Sequence, residues 1–377
     1  QQDPIRNTLF TRVRYRALGN AYKPEGRGSV PPKRPTQRDV AERAGVSRGT
    51  VSMVLSGKTS ERVPISQETI ERVLRAAEQL GYAPNPVAQM LVRGQNNLIG
   101  VFSYEPTFPY DQSNVFFPYL SGIQAEAGRQ GYNVLLFTGV QAQNENKIYR
   151  NSMNSLFLAD GSIILGARPD RDELLRLIEE DYPFVYIGRR EVSGFETSWV
   201  VSDYVATSAE AVHHLLELHH ERFGFLTDTL DRESEQDKLT GARQGLGAAG
   251  DDLVVLSDVL DLPSESLSQQ IQDRHLTALL CANSDVFEYV MQALNRASIA
   301  VPGDVSVVCL IDATPVPPSM LTPTHVQIKR PLIGQTALQM LIDLVEGTAQ
   351  PPQQILVPGT FVIGDTTGVC RDVSPRR

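Results

Sequence analysis

From Leu98 onward the sequence repeats one alternation twice: a short run of β-branched and aromatic residues, then a longer stretch with apolar side chains at helical spacing. Leu98 to Ser103, Asn133 to Phe137, Ser162 to Leu165, Phe184 to Ile187 and Trp199 to Val201 read as strands buried on both faces, with helices near 119–131, 144–158 and 169–180 between the first four. A second set places strands near Phe223 to Leu226, Leu253 to Leu256, Thr277 to Cys281 and Val305 to Cys309, with helices near 205–218, 232–247 and 284–297. Strand, helix, strand of this kind builds a parallel sheet, so two doubly wound α/β lobes are predicted. A last helix near 332–346 and strands near 354–357 and 360–363 let the chain cross back between the lobes, which puts the expected ligand cleft at their junction.

The first hundred residues obey a different pattern. Thr36 is placed to cap a helix carrying Val40, Ala41 and Ala44 on one face, and Gly45 ends it. Ser47 caps a second helix with Val51, Val54 and Leu55 inward. Ser66 opens a third, whose Ile70, Val73, Leu74, Ala77 and Leu80 form the expected buried stripe up to Gly81. Helix, tight glycine turn, helix and a supporting helix make an all-α head. Residues 1–34, rich in arginine, glycine and proline without periodicity, read as a flexible basic arm.

The whole chain of 377 residues has a formal net charge of −9, which by itself disfavours a nucleic-acid partner. That average conceals a split: up to Asn96 there are about 16 Lys and Arg against about 8 Asp and Glu, so the remainder carries about −17. A basic end on an acidic body fits DNA contact confined to the head. Cys281, Cys309 and Cys370 are odd in number and far apart, which argues against a disulfide framework or zinc ribbon and for reduced thiols. With no long apolar run and no apolar leader, a cytoplasmic protein with no membrane partner is expected.

Several segments in order resemble the lactose-repressor/galactose-repressor family of bacterial transcriptional regulators. Asp39-Val40-Ala41-Glu42-Arg43-Ala44-Gly45-Val46-Ser47-Arg48-Gly49-Thr50-Val51-Ser52 resembles the family's head, and Gly81-Tyr82-Ala83-Pro84-Asn85-Pro86-Val87-Ala88-Gln89-Met90-Leu91 its hinge. Leu98-Ile99-Gly100-Val101 is similar to the first sensor strand, and Val301-Pro302-Gly303-Asp304-Val305-Ser306-Val307-Val308 to the strand entry of the second lobe. The resemblance runs from Pro35 to Gly368. It implies a helix-turn-helix head (35–82), a hinge helix and linker (83–96), and a periplasmic-binding-protein-like effector-binding and dimerisation domain (97–372) before a tail at 373–377. The first lobe is expected at about 97–202 and 326–352, the second at about 203–325 and 353–372.

The expected DNA-contact residues are Thr36, Ser47, Arg48, Gly49, Thr50, Ser52 and Met53 in the head and Asn85, Ala88, Gln89 and Leu91 in the hinge. Small hydroxyl side chains and an arginine at a helix N-terminus suit phosphate bonds and close major-groove approach. Met53 stands where the family commonly has arginine; methionine cannot make a bidentate pair to guanine, so the operator is expected to differ at that base. Arg48, one turn earlier, is the candidate base reader. Pro84 and Pro86 hold extended backbone before a short helix. In the family that helix folds only on DNA, pairs with its dimer mate and wedges a leucine, matched by Leu91, into the minor groove.

For the effector the resemblance implies Asn114, Phe116 and Phe117 at the first lobe's cleft edge, Asp203 near the crossover, Lys238 where the family has a ligand-gripping arginine, and Asn283 and Ser284. Lysine keeps the charge but loses the fork. Ser284 replaces the aspartate that usually clamps the ligand, and Asp285 is displaced one residue along a helix start, turning it about 100 degrees away. His219 replaces a glycine and Gly364 an arginine, so a standard hexose effector is not expected; a different sugar, another metabolite or no effector at all stays open.

Catalytic signatures do not assemble. Gly57-Lys58-Thr59 lacks the first glycine and the preceding strand of a phosphate loop, and Gly241, Gly245, Gly247 and Gly250 belong to a helix and its exit. His213, His214, His219 and His220 lack metal spacing and read as a partly exposed helix face. Neither metal nor cofactor is expected. The reading is a non-enzymatic, homodimeric regulator of the repressor type that binds a pseudo-palindromic double-stranded operator and a small-molecule effector. The alternative is a solute-binding protein, or a regulator whose divergent sensor takes no sugar.

Overall fold

A computed structural model describes residues 35–56, 65–82, 96–105, 116–138, 146–192, 194–313 and 321–371. The chain divides into two units, Gln1–Val92 and Arg93–Arg377.

In the first unit, α1 (Gln37–Ala44), α2 (Arg48–Ser56) and α3 (Gln67–Leu80) enclose a small core of Val40, Ala41, Ala44, Val51, Val73, Ala76 and Ala77. Gly45 stops α1 at φ +65, a left-handed conformation that a Cβ makes costly. The stripe on α3 departs from expectation at one position. Leu74 is 49% exposed and Ala76 is buried instead, because the narrow α1–α2 platform accepts small side chains at Ala76 and Ala77 and leaves the longer Leu74 outside.

The second unit holds two six-stranded sheets. In the first lobe, β1 (Leu98–Ser103), α4 (Phe117–Gln130), β2 (Asn133–Phe137), the ribbon β3 (Tyr149–Arg150) and β4 (Met153–Asn154), β5 (Gly161–Leu165), α5 (Arg171–Glu179), β6 (Phe184–Ile187) and β7 (Trp199–Ser202) follow in order. The second lobe adds α6 (Tyr204–Glu217), β8 (Phe223–Leu226), α7 (Glu233–Leu246), β9 (Val254–Leu256), α8 (Ser264–Asp273), β10 (Ala278–Cys281), α9 (Ser284–Arg296), β11 (Ser306–Cys309) and β12 (Thr324–Gln327). Then α10 (Arg330–Val345), β13 (Gln354–Val357) and β14 (Thr360–Val362) close the fold. The sheet orders are β13-β7-β6-β5-β1-β2 and β14-β12-β11-β10-β8-β9; within both sheets every pairing is parallel except β12 with β14.

Alternation along each strand sends residues to opposite sheet faces, and both faces are covered. Ile163 and Leu165 of β5 pack with α4 and α10, while Ile164 joins Leu174 and Leu177 of α5. In β10, Leu279 and Cys281 face α8 and α9, whereas Ala278 and Leu280 face α6 and α7. Gly241 lets α7 lie directly on α6, since a Cβ there would sit 2.2 Å from the Val205 carbonyl oxygen. The three cysteines are free and buried, and burial pushes the Cys309 thiol up to about 12.

Three expectations change. The helix near 144–158 is replaced, among its described residues, by the β3–β4 ribbon and a 3-10 turn at Ser155–Leu158; Asn151 and Ser152 both take positive φ, as a tight hairpin turn requires. β12 and α8 were not anticipated. The lobe boundaries also move. β13 pairs with β7 in the first sheet and β12 with β11 in the second, so the chain re-enters the first lobe after Gln327 and leaves it between Val357 and Thr360, not at 325/326 and 352/353.

Candidate DNA-reading head and lobe junction

Thr36 closes a capping box with Asp39, its backbone N–H donating to the carboxylate at 2.7 Å. Ser47 caps α2: its Oγ accepts from Thr50 N–H at 3.1 Å and shares a 2.9 Å hydroxyl contact with Thr50. Above the buried Val51, the outer face of α2 presents Arg48 and Gly49, with Ser52 and Met53 half-buried beside them. A Cβ added at Gly49 would meet only Ser47 Oγ at 3.6 Å, so packing within the head does not demand glycine there.

The arginines of the head fall into two groups. Arg38, Arg72 and Arg75 each pair with a glutamate on their own helix, and Arg43 donates to Gln79 at 3.0 Å. Arg48, exposed in the first turn of α2, has no hydrogen bond or ion pair among the described residues. An uncommitted guanidinium beside a helix N-terminus, flanked by two small residues, is a geometry for an anionic or acceptor-rich surface. Asn85, Ala88, Gln89 and Leu91 of the hinge, and Asn114, lie outside the described residues, as do the basic arm and the tail.

Of the expected effector residues, Asp203, Asn283 and Lys238 have structural partners. Asp203 caps α6 by accepting from Ala206 N–H at 2.9 Å. Asn283 caps α9 through Val286 N–H and donates to Asp228 at 2.7 Å, while Ser284 and Asp285 lie exposed on the first turn. Phe116 packs against the first-lobe core, and Phe117 is 62% exposed. Lys238 is buried; its Nζ donates to Glu235 at 3.1 Å and stands 4.8 Å over the Tyr204 ring.

A charge network that the sequence reading missed joins the lobes. Glu233, opening α7, receives Arg171 at 2.8 Å and Arg190 at 3.4 Å from the first lobe. Arg189 grips Asp237 with both Nε and Nη2, at 3.1 and 2.7 Å. Arg330, at the start of α10, pairs with Asp312, which follows β11. Burial works against Arg330's charge, yet Tyr119 and Asp312 hold its pKa above the usual value. Burial likewise raises the Tyr204 hydroxyl to about 12. The available signal was the pair Arg189-Arg190 directly after a buried strand, and the acidic first turn of α7.

His213 and His219 are exposed, as a partly exposed face requires, but His214 is half-buried and His220 is turned inward. His220 is buried: its Nε2 donates to the Gly368 carbonyl at 3.0 Å and meets Ser306 Oγ at 2.9 Å, and His214 contacts Thr367 Oγ1 at 3.0 Å. Together they tie the C-terminal segment to the second lobe. His219 occupies a left-handed φ of +64, the conformation that favours the glycine it replaces. Among the described residues no group of three or more potential ligands could hold a metal, and no helix is long and apolar enough to cross a membrane.

Two family models match the chain: bacterial regulatory proteins of the lacI family at residues 36–85, and the periplasmic binding protein-like domain at 212–367. The HTH-type transcriptional regulator CelR of Thermobifida fusca is 27% identical over 344 residues, covering 89% of this chain and 98% of the relative. The HTH-type transcriptional repressor PurR of Photobacterium profundum is 28% identical over 331 residues, covering 82% and 92%. In fold, the chain is similar to the Lac repressor dimer bound to operator and the anti-inducer ONPF, with a TM-score of 0.67 and 24% identity over 89% of this chain and all of that one. A capped helix-turn-helix with an uncommitted arginine, a two-lobed sensor body and relatives of nearly equal length converge: the chain carries the DNA-binding domain of the lacI family of bacterial regulatory proteins together with a periplasmic binding protein-like domain, and is a DNA-binding transcriptional regulator.

Proposed function

We propose that the chain acts in the cytoplasm as a homodimeric repressor on a pseudo-palindromic operator, releasing or strengthening its grip when a small molecule enters the cleft between the lobes. The observation that carries this reading is Arg48, exposed at the start of α2 with no partner among the described residues. In this role Arg48 reads a base edge, Ser47, Thr50 and Thr36 hold phosphates, and Gly49 and Ser52 keep the approach close. Met53 packs against thymine methyls or neighbouring side chains. The hinge contributes Asn85, Ala88, Gln89 and the wedge Leu91. Relatives of the same architecture support an effector: one solved neighbour is a complex of the regulator CelR with cellobiose.

Selection of operators from random DNA with the full chain, followed by titration at increasing salt, tests the proposal. A two-fold-related consensus and an affinity that falls steeply with salt are expected; retention of no sequence above the random pool overturns it. A second reading concerns the sensor alone. Lys238, in the place of a ligand-gripping arginine, is already paired with Glu235, which favours a regulator that does not take a neutral hexose.

A further inference from the structure

Acids and arginines meet across the lobe boundary from opposite sides. Glu233 and Asp237 stand one helical turn apart near the start of α7, so both carboxylates leave the same face of that helix, the one turned to the first lobe. Glu235, between them, pairs instead with Lys238 inside the second lobe. Arg171, Arg189 and Arg190 come from the first lobe, at the start of α5 and just after β6. Glu233 accepts from Arg171 Nη2 at 2.8 Å, from Arg190 Nη1 at 3.4 Å and from the backbone N–H of Glu191 at 3.3 Å. Asp237 receives both arms of Arg189, Nε at 3.1 Å and Nη2 at 2.7 Å. Every donor of the set is on one lobe and both acids are on the other, so each of these bonds breaks when the lobes part.

The first-lobe side is aimed by its own contacts. Gly188, at φ +117, leaves room for the Arg190 guanidinium, whose Nη1 would lie 3.3 Å from a Cβ there. Arg190 stands 4.6 Å over the Tyr186 ring and donates through Nη2 to the Gly166 carbonyl at 2.5 Å, both groups of the first lobe. Across the boundary, the first turn of α7 favours the negative charge of Glu233. The side chains of Arg190 and Glu233 are 8% and 6% exposed, so solvent ions screen that pair little. Arg330–Asp312 also spans the lobes, but it lies beside the chain crossing, where Asp312 accepts from the Ile328 N–H at 3.3 Å, and belongs to the pivot.

A cleft between two lobes stays shut when something bridges it, and here the bridge is built from the chain's own side chains. We propose that Arg171, Arg189 and Arg190 with Glu233 and Asp237 form a clasp that keeps the lobes closed without any small molecule. The closed sensor is then the resting state, and a molecule entering the cleft acts on lobes that are already shut. Closure rests on the inter-lobe bonds alone; its consequence for DNA rests on the proposed regulatory cleft.

Hydrogen exchange of the full chain with no added compound, read by mass spectrometry, reports on the clasp at the Glu191 N–H and along the first turns of α7, within 188–192 and 233–240, with β5 and β10 as internal references. Wild type is expected to protect both segments. Glu233→Gln combined with Asp237→Asn is expected to raise exchange in both by at least about fivefold while β5 and β10 stay protected. Arg189→Asp combined with Asp237→Arg is expected to restore most of the protection that Asp237→Arg alone removes. Unchanged protection in the Glu233→Gln, Asp237→Asn variant overturns the clasp, as does free exchange of both segments in wild type. Where that variant loses β5 or β10 protection as well, the charge swap decides, and a swap no better protected than Asp237→Arg alone overturns the proposal. Operator recognition by the wild-type chain, measured alongside, tests the regulator reading separately: its loss leaves the exchange result standing.

Discussion

The head and the lobe junction use charged side chains in opposite ways. On the head, acids and bases three or four residues apart pair along one helix in full view of solvent, and Arg48 stands aside from those pairs among the described residues. At the junction, pairs such as Arg171–Glu233 and Arg189–Asp237 join residues far apart in sequence, and their carboxylates are largely withdrawn from water. Exposed pairs contribute little to stability and leave the surface chemistry to whatever docks there. Buried pairs cost desolvation that only good geometry offsets, so removing one member leaves a charge stranded. The head is therefore organised to meet a partner and the junction to hold its own parts together.

That contrast can be broken by substitution. Glu233→Ala strands Arg190 and is expected to destabilise the sensor by about 3–5 kcal/mol in urea denaturation, the largest effect foreseen. A loss below about 1 kcal/mol would mean that the junction is as wet as the head. Thr36→Ala removes one side of the α1 capping box and is expected to cost the head about 1 kcal/mol, measured by thermal melting. Glu71→Ala, which removes the exposed partner of Arg75, is expected to change stability by less than about 0.5 kcal/mol. A cost comparable to that of Glu233→Ala would erase the distinction between the two regions.

The smallest effect is the pH dependence of the His220 anchor. Burial lowers the pKa of His220, and that of neighbouring His214, below the ordinary 6.5, so the unfolded chain takes up protons that the folded chain refuses. Stability from this source is complete above pH 6.5 and is lost as the pH falls below it. Melting temperature should therefore drop between about pH 7.5 and about pH 5.5, and His220→Asn should flatten part of that slope. An unchanged slope in the variant would assign the dependence to other groups.

Features fixed by local physics were legible in the sequence. The caps at Thr36 and Ser47, the glycine stop at Gly45 and the doubly buried strands such as Phe184–Ile187 depend on residues within a few positions of one another. The β3–β4 ribbon was not legible, because its apolar residues fit helical spacing and nothing marked Asn151 and Ser152 as left-handed. α8 was missed because Leu267 and Ile271 are nearly its only apolar positions. The junction network escaped for a different reason. Arg171 and Glu233 are 62 residues apart and meet only when two lobes close on each other, so no window of sequence contains the pair. Family resemblance put Lys238 forward as a ligand-gripping residue, and its pairing with Glu235 could not be read from that resemblance.

The central claim is that the head reads sequence with a side chain the fold leaves uncommitted. Its most direct measurement is the affinity of the full chain and of Arg48→Ala for a selected operator and for random DNA at the same salt. If Arg48 reads a base edge, the ratio of specific to random affinity falls by about tenfold or more, corresponding to about 1–3 kcal/mol, while random binding changes little. Equal weakening on both DNAs would reduce Arg48 to a phosphate contact and contradict the account.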